Sequence, residues 1–473
     1  MKATLLTFWE NVRSSYWFIP SLMALAAVLL SSGAIYFDGV IGSGWMDDIP
    51  WLYANKPDGA RALLSTISGS MITVAGVTFS ITIASVAYAT GQFGPRLLTN
   101  FMQDRGNQVT LGTFIATFLY CLLVLRTIRS ADERTGGSAE VSGDFVGAFV
   151  PHAAILIALA LTLASVAVLI FFIHHVPDSI HISNVIAKIG RELNAKIDML
   201  FPEMLGQKPP EELDGEPEAD VPERFFSEAT PVCADGNGYI EYLDSKGLLE
   251  IAQSHDLILR VEYRPGDFVV EEMALVYAWP ASRLDDETKN RILRAFAWGR
   301  KRTQAQDAMF LVNELVEIAG RALSPGVNDP FTAISCLDWL SSALTRLAHR
   351  TFPSVYRYDE EGNLRIIARP YRFEDFARAV FDQIRPYAHA DRNAALHMMK
   401  VIGDVGLLTE SRPHRETLLA HATKLRDGCR EGLAQEADVE TLEERYETVA
   451  RLLRHPETRE TEASKREWLA GSS

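Results

Sequence analysis

The chain has 473 residues and a formal net charge of −15 at pH 7, and this charge is unevenly distributed. Residues 1–176 carry about −1 over long apolar runs, and the remainder carries −14. An acidic surface repels phosphate backbones, so nucleic acid is excluded as an expected partner. The four cysteines are scattered and form no CxxC pair, which argues against a zinc site or a disulfide framework. No metal and no cofactor are predicted.

Four apolar runs predict transmembrane helices within a membrane domain at residues 1–181. The runs cover residues 17–37, 62–89, 108–128 and 148–176, and each is long enough to cross a hydrocarbon core of about 30 Å. A cleaved signal peptide is the alternative for the first run, but signal segments are shorter and further spans follow. The lipid bilayer is an expected partner, and a multi-pass location in the bacterial inner membrane is predicted.

The second run is uncharged, and residues 65–90 contain ten serine or threonine residues within 26 positions. A hydroxyl in a helix can bond the carbonyl four residues earlier, so these side chains do not by themselves indicate a pore. Thr73 and Ser80 are seven residues apart and share one face. Gly76, Ser80 and Ala84 have the spacing that lets two helices approach closely. The run is predicted to be a packed central helix or a pore lining, and in an oligomer it can be both.

The second run ends in Gln92, a glycine–proline pair and Arg96, which places polar groups at the membrane edge. The predicted pore-lining or helix-packing set consists of Thr73, Gly76, Ser80, Ala84, Gln92 and Arg96. The stretch GVTFSITIASVAYATGQFGPRLLTNFMQD resembles the signature of an uncharacterised bacterial family of predicted integral membrane proteins, a family defined by a domain of unknown function. The resemblance implies N-terminal spans and a long soluble C-terminal part, and it implies no substrate or reaction.

The fourth run is followed by polar residues in the stretch FIHHVPDSIHIS. His174, Asp178 and His181 share one helical face if the helix continues through Pro177. That face is a candidate for pH sensing or for a metal pair, and the alternative is that polar residues simply end a span at the interface. The segment FIHHV also shares the family resemblance, which implies no role for these side chains.

The orientation in the membrane follows from the basic residues. An even number of spans places both termini on one side, where six basic residues flank the spans, against four on the other side. The positive-inside rule therefore predicts cytoplasmic N- and C-termini. Unpaired cysteines in the soluble part agree with a reducing compartment.

The soluble part is predicted to be an α+β domain, so the whole fold is mixed, with an α-helical bundle of four spans first. Residues 182–224 are predicted to form a juxtamembrane helix and an acidic linker. Alternating apolar residues predict a small β-rich subdomain at 225–283. Residues 284–460 are predicted to be mainly helical, with a hairpin near 355–369, and 461–473 form a polar tail.

The stretch RALSPGVNDPFTAI carries the second part of the family resemblance, and SPGVNDP separates two predicted helices. Asp329 can cap the second helix, and Pro330 suits its first turn. The alternative is a ligand site at this helix start, whose candidate residues are Arg302, Gln306, Asp307, Arg321, Asn328 and Asp329. Free amides at a helix start favour an anion, whereas the Asp329 carboxylate suits a cation or a polar molecule. The sequence leaves these alternatives open.

No P-loop, nucleophile elbow, metalloprotease or dinucleotide-binding motif occurs, so an enzyme is not predicted. The leading interpretation is a homo-oligomeric, channel- or transporter-like protein with a cytosolic regulatory or sensing domain. An ion or a small polar solute is then an expected partner. The first alternative is a membrane-anchored ligand sensor or scaffold without transport. A membrane enzyme is a further alternative and requires convergent titratable residues.

Overall fold

The structure, a computed structural model, describes six segments of the chain. The described residues are 15–41, 56–94, 104–129, 149–201, 221–350 and 352–455. The chain divides into two compact units, a membrane unit within Asn11–His181 and a C-terminal unit within Ile182–Ser473.

The membrane unit contains four α-helices that are long and apolar enough to cross a membrane, which confirms the four predicted spans. The helices are α1 (Phe18–Ile41), α2 (Pro57–Phe93), α3 (Arg105–Leu125) and α4 (His152–Ile180). At 37 residues, α2 is about 54 Å long and exceeds the hydrocarbon core of about 30 Å. The helix α4 continues through Pro177, so the condition for a shared histidine face is met.

The central helix of the membrane unit is α3, which packs against α1, α2 and α4. Its Phe114, Tyr120 and Val124 are fully buried. The prediction that the second span is the central helix is therefore wrong within one chain. Large side chains on α3 fill the space between the other helices, whereas α2 contributes only one of its faces to the bundle.

The C-terminal unit combines helices with two sheets. Its helices are α5 (Ile182–Leu200), α6 (Phe225–Glu228), α7 (Ser245–Ser254), α8 (Asp286–Leu293), α9 (Ala308–Ala322), α10 (Pro330–Ala348), α11 (Phe373–Ala388), α12 (Arg392–Leu407), α13 (Arg412–Gly432) and α14 (Glu436–Arg454). Its strands are β1 (Thr230–Cys233), β2 (Gly238–Leu243), β3 (Ile258–Val261), β4 (Phe268–Val269), β5 (Ala274–Trp279), β6 (Phe296–Gly299), β7 (Tyr356–Tyr358) and β8 (Leu364–Ile367).

The five-stranded sheet has the order β1-β5-β3-β8-β7, and the three-stranded sheet has the order β4-β2-β6. Neighbours are antiparallel except β3 and β8, which are parallel. The hairpin β7–β8 falls where a hairpin was predicted, and it extends the sheet through β3. Both sheets therefore include strands from beyond residue 283, and the predicted division between a β-rich and a helical segment crosses them. Local alternation does not reveal such long-range pairing.

The helix α5 belongs to the core of the C-terminal unit, where it packs against α9 and α10. Its Gly190 lies so close to the Trp339 indole that a β-carbon there would overlap the ring. Asp198 accepts hydrogen bonds from Arg346 at 2.8 Å and from Arg350 at 2.5 Å. One residue, His181, separates the end of α4 from the start of α5, so the chain passes from the fourth span directly into α5.

Candidate functional site

One exposed face of α2 consists entirely of small residues, and we call it the small-residue face. Its members are Ala62, Thr66, Gly69, Thr73, Gly76, Ser80, Ala84, Ala87 and Gly91, all exposed. They recur every three or four residues over about 44 Å of helix. Four predicted residues, Thr73, Gly76, Ser80 and Ala84, lie on this face. The side chain of Gln92 and the whole of Arg96 lie outside the described residues.

The hydroxyl groups of this face are bonded within their own helix. Thr66 donates to the Ala62 carbonyl at 2.8 Å, Thr73 to that of Gly69 at 2.8 Å, and Ser80 to that of Gly76 at 2.9 Å. Each donor is satisfied locally, so the face can meet lipid or another helix without leaving an unpaired O–H group.

The small-residue face makes no close contact within the described part of the chain. A β-carbon at Gly69, Gly76 or Gly91 would find no described atom within 4 Å. The opposite face of α2 instead supplies the contacts with the bundle through Leu64, Met71 and other buried residues. The prediction that this row packs closely against another helix stays a prediction, because no partner for the row lies in the described part of the chain.

The predicted pH-sensing residues His174, Asp178 and His181 are exposed along one side of the end of α4. The neighbouring His175 makes the interhelical contact, since its Nε2 lies 2.9 Å from Asp104 Oδ1. The same carboxylate oxygen caps α3 by accepting from the Asn107 amide at 3.0 Å. An Asp shortly before the predicted third run was the available sequence signal for this cap, but it does not reveal the histidine partner.

Another interhelical contact involves Asp38, which lies just beyond the predicted first run at residues 17–37. The structure places Asp38 near the end of α1, where it is buried. Its two oxygens accept from the amides of Ala153 at 3.0 Å and Ala154 at 2.9 Å. Pro151, the residue preceding α4, provides no side-chain cap, so the α1 carboxylate satisfies these free amides instead.

Three residues of the predicted ligand group lie at the start of α9, where each has a structural partner. Arg302 donates to Asp307 at 2.6 Å, and Asp307 also accepts from the Phe310 amide at 3.2 Å as the cap of α9. Burial raises the pKa of Asp307, an effect that outweighs the lowering by Arg302. Gln306 bonds both backbone groups of Leu243 and so joins α9 to β2.

The other three residues of the predicted group lie beyond or near the end of α9. Arg321 donates to Glu317 at 3.3 Å, and Asn328 adopts a left-handed φ of 50°. Asp329 caps α10 by accepting from the Thr332 amide at 3.1 Å and from its hydroxyl at 2.6 Å. Residues 307 and 321 are about 21 Å apart along the helix axis. The structure therefore does not bring the six predicted residues into one site.

Metal chemistry has no visible support in the ranges that the structure describes. There, no group of three or more His, Cys, Asp or Glu side chains is placed to hold a metal ion. His397, for example, lies 2.7 Å from Asp338 in an ion-pair geometry between α12 and α10.

Comparison with known sequences shows which family the chain belongs to. Residues 13–404 match the model of the family described as "Predicted membrane protein (DUF2254)". The chain belongs to the DUF2254 family. It is also 31% identical over 401 residues to uncharacterized proteins of Mycobacterium bovis and Mycobacterium tuberculosis, over 84% of this chain and 72% of theirs.

The family match includes all four membrane helices and extends into the C-terminal unit as far as α12. The resemblance inferred from the second span and from the SPGVNDP segment is confirmed. No solved structure matches this DUF2254 protein. It is a membrane protein with N-terminal apolar helices and a C-terminal unit of helices and small sheets.

Proposed function

We propose that this DUF2254 protein is a homo-oligomeric, channel- or transporter-like protein of the bacterial inner membrane. In this proposal the C-terminal unit lies in the cytoplasm, as do both termini, and regulates the membrane part. The observation that carries the proposal is the small-residue face of α2, which is exposed over about 44 Å and has no partner among the described residues. The proposal assigns no chemical reaction to the protein.

Helix association in a membrane depends mainly on van der Waals packing, because lipid tails are as apolar as the side chains. Small residues at four-residue spacing let two backbones approach closely, and they make poor contacts with lipid on their own. A second copy of α2 supplies the missing contacts. Packing of α2 helices around a common axis therefore follows from the composition of this face.

Transport is supported by the hydroxyl groups on the same face. Thr66, Thr73 and Ser80 follow one another at intervals of seven residues, or about 10.5 Å of rise. Their donors are bonded internally, but each hydroxyl oxygen retains acceptor capacity. Helices surrounding an axis would thus present successive rings of oxygen acceptors to an ion or a small polar solute.

Flux measurements test the transport claim. The purified protein is reconstituted into liposomes containing ion-sensitive dyes, and flux is recorded under a voltage or a pH gradient. Thr73→Val and Ser80→Ala, which remove a hydroxyl without enlarging the side chain, are each expected to reduce the flux at least severalfold without changing assembly. Thr113→Val is the matched control, because Thr113 makes the same internal hydrogen bond on α3. The absence of flux from the wild-type protein under every gradient would contradict transport.

A membrane-anchored sensor or scaffold is the second candidate, and one observation favours it. The internally bonded hydroxyls leave the small-residue face suitable for dry helix packing. Under this alternative, the Thr73→Val and Ser80→Ala variants assemble and support the same cellular phenotype as the wild type, and the liposomes show no flux. Loss of flux with retained assembly therefore separates the two candidates.

A further inference from the structure

A cleft in the C-terminal unit includes none of the pore, pH-sensing or ligand-binding residues predicted from the sequence. It has a volume of about 350 Å³, within the range of small-molecule sites. Its lining includes Asp256, Ile258, Trp279, Arg283, Leu364 and Arg365. These residues come from the turn before β3, from β3, β5 and β8, and from the short turn after β5. The cleft therefore exists only in the assembled sheet.

One wall of the cleft is fixed by a buried ion pair. Arg365 Nε donates to Asp359 at 2.6 Å, and the side chains of Arg365 and Asp359 are only 9% and 4% exposed. Asp359 is held in turn by the backbone amides of Glu361 at 3.0 Å and Asn363 at 2.8 Å. The guanidinium group of Arg365 is thus preorganised at the cleft, and most of the Asp359 charge is directed into its own turn.

A second carboxylate already bridges the two arginine side chains of the cleft. Arg365 Nη1 donates to Asp256 Oδ1 at 2.6 Å, and Arg283 Nη1 donates to Asp256 Oδ2 and to its carbonyl oxygen. These arginines hold the pKa of Asp256 below its usual range. Unlike Asp359, the Asp256 side chain is 61% exposed, and its backbone has a left-handed φ of 47°. An exposed carboxylate on a turn therefore occupies the place between two guanidinium groups.

The arginines retain donors beyond those used by Asp256. In the described part of the chain, the recorded hydrogen bonds of Arg283 all involve Nη1, and those of Arg365 involve Nε and Nη1. A guanidinium group carries five N–H donors in a fork that matches carboxylate and phosphate oxygens. Arg283 is half exposed, so an incoming anion can reach it.

The rest of the cleft lining is mixed, with Tyr358, Gly362 and Asn363 beside three apolar side chains. Trp279 provides an indole ring, and Ile258 and Leu364 provide aliphatic surface. Aromatic rings stack well on an indole, and a guanidinium group also packs against flat rings. The cleft therefore joins a surface for a planar ring to a pair of cationic groups.

We propose that this cleft binds a small anionic molecule with a planar ring, whose anionic group contacts Arg283 and Arg365 while its ring packs against Trp279. Asp256 acts as an internal competitor for the same arginines. This site goes beyond the proposed function and does not depend on transport. Binding can therefore be measured on the full-length protein in detergent micelles, where no transport occurs.

The test uses adenosine monophosphate as the probe, with adenosine and inorganic phosphate as comparators, in isothermal titration calorimetry. Adenosine monophosphate is expected to bind more tightly than either comparator. Arg283→Gln is expected to weaken its binding at least tenfold, whereas Asp256→Asn, by removing the competitor, is expected to strengthen it severalfold. Trp279→Leu is expected to weaken the binding of adenosine monophosphate and to leave the binding of phosphate unchanged.

The matched control is Arg291→Gln, which removes an exposed arginine of α8 outside the cleft and is expected to change nothing. Thermal unfolding of each variant shows whether the unit is still folded. The proposal is overturned if adenosine monophosphate does not bind up to about 10 mM, a limit that corresponds to roughly 2.7 kcal/mol of binding free energy. It is also overturned if Arg283→Gln binds like the wild type, or if phosphate binds as tightly as the nucleotide.

Discussion

The two units satisfy their polar side chains in different ways. In the membrane unit, Thr73 and Ser80 bond the carbonyl one turn earlier in the same helix. In the C-terminal unit, Gln306 bonds β2 from the start of α9, and Asp198 of α5 pairs with Arg350 after α10. Local bonding leaves α2 complete by itself, so its exposed face is available to a second copy. Hydrogen bonds between elements make the stability of the C-terminal unit depend on individual side chains.

The membrane unit also has polar contacts between helices. Asp38 of α1 caps the start of α4, and Asp104 at the start of α3 contacts His175 near the end of α4. Two further hydrogen bonds join α3 to α4, one between Thr117 and Ser165 and one from Tyr120 to the Ala154 carbonyl, each at 3.0 Å. On α2, by contrast, the hydroxyls of the small-residue face bond only within their own helix among the described residues.

Breaking a buried contact of the C-terminal unit is expected to have the largest effect. Asp307→Ala removes the α9 cap and leaves Arg302 without its carboxylate, which should lower the free energy of unfolding by about 4 kcal/mol. Chemical denaturation of the full-length protein in detergent measures this loss. Ser80→Ala on α2 is the matched control and should change stability by less than about 0.5 kcal/mol. Equal effects at the two sites would contradict the comparison.

Acid should destabilise the C-terminal unit through His421. Burial lowers the pKa of His421 to about 4, from 6.5. The unfolded chain therefore binds a proton between these values while the folded chain does not, so stability falls as the pH drops from 6.5 toward 4, by roughly 3 kcal/mol. Unfolding followed across this pH range should show a shallower slope for His421→Gln. An unchanged slope would exclude this residue as the cause.

Two glycines allow the packing of the two units to be compared by the same substitution. Gly190→Ala places a methyl group against the Trp339 ring and should destabilise the C-terminal unit by about 2 kcal/mol. Gly76→Ala makes the same chemical change on α2, where no described atom lies within 4 Å, and should leave the fold intact. Thermal unfolding of both variants is the measurement. A fold that tolerates alanine at 190 would show that α5 is not tightly packed there.

The smallest effect is expected for the SPGVNDP segment. Asp329→Ala removes the cap of α10 and should reduce stability by about 1 kcal/mol. Adenosine monophosphate binding should remain unchanged, because Asp329 does not line the cleft. Denaturation and calorimetry on the same preparation test both statements. A stability-neutral change that abolished ligand binding would instead support a site at this helix start.

Features set by local spacing were predictable from the sequence. The four spans, the helix break at SPGVNDP and the β7–β8 hairpin each follow from neighbouring residues. The direction of the small-residue face was not predictable, because it depends on which face of α2 the large side chains of α3 occupy. Asp256 and Arg365 are 109 positions apart, and their contact exists only after β3 and β8 pair. Asp38 was missed for the same reason, since its partners begin 115 residues later.

Cysteine cross-linking in native membranes tests directly whether two copies of the protein associate through α2. Gly76→Cys places a thiol on the small-residue face, and Leu163→Cys places one on α4 at a residue that is 66% exposed. Both are made with Cys233, an exposed native thiol, replaced by serine. If α2 helices associate, mild oxidation converts the Gly76→Cys protein to a covalent dimer and leaves the Leu163→Cys protein monomeric. No dimer at Gly76→Cys, or equal dimer at both positions, would contradict association through α2.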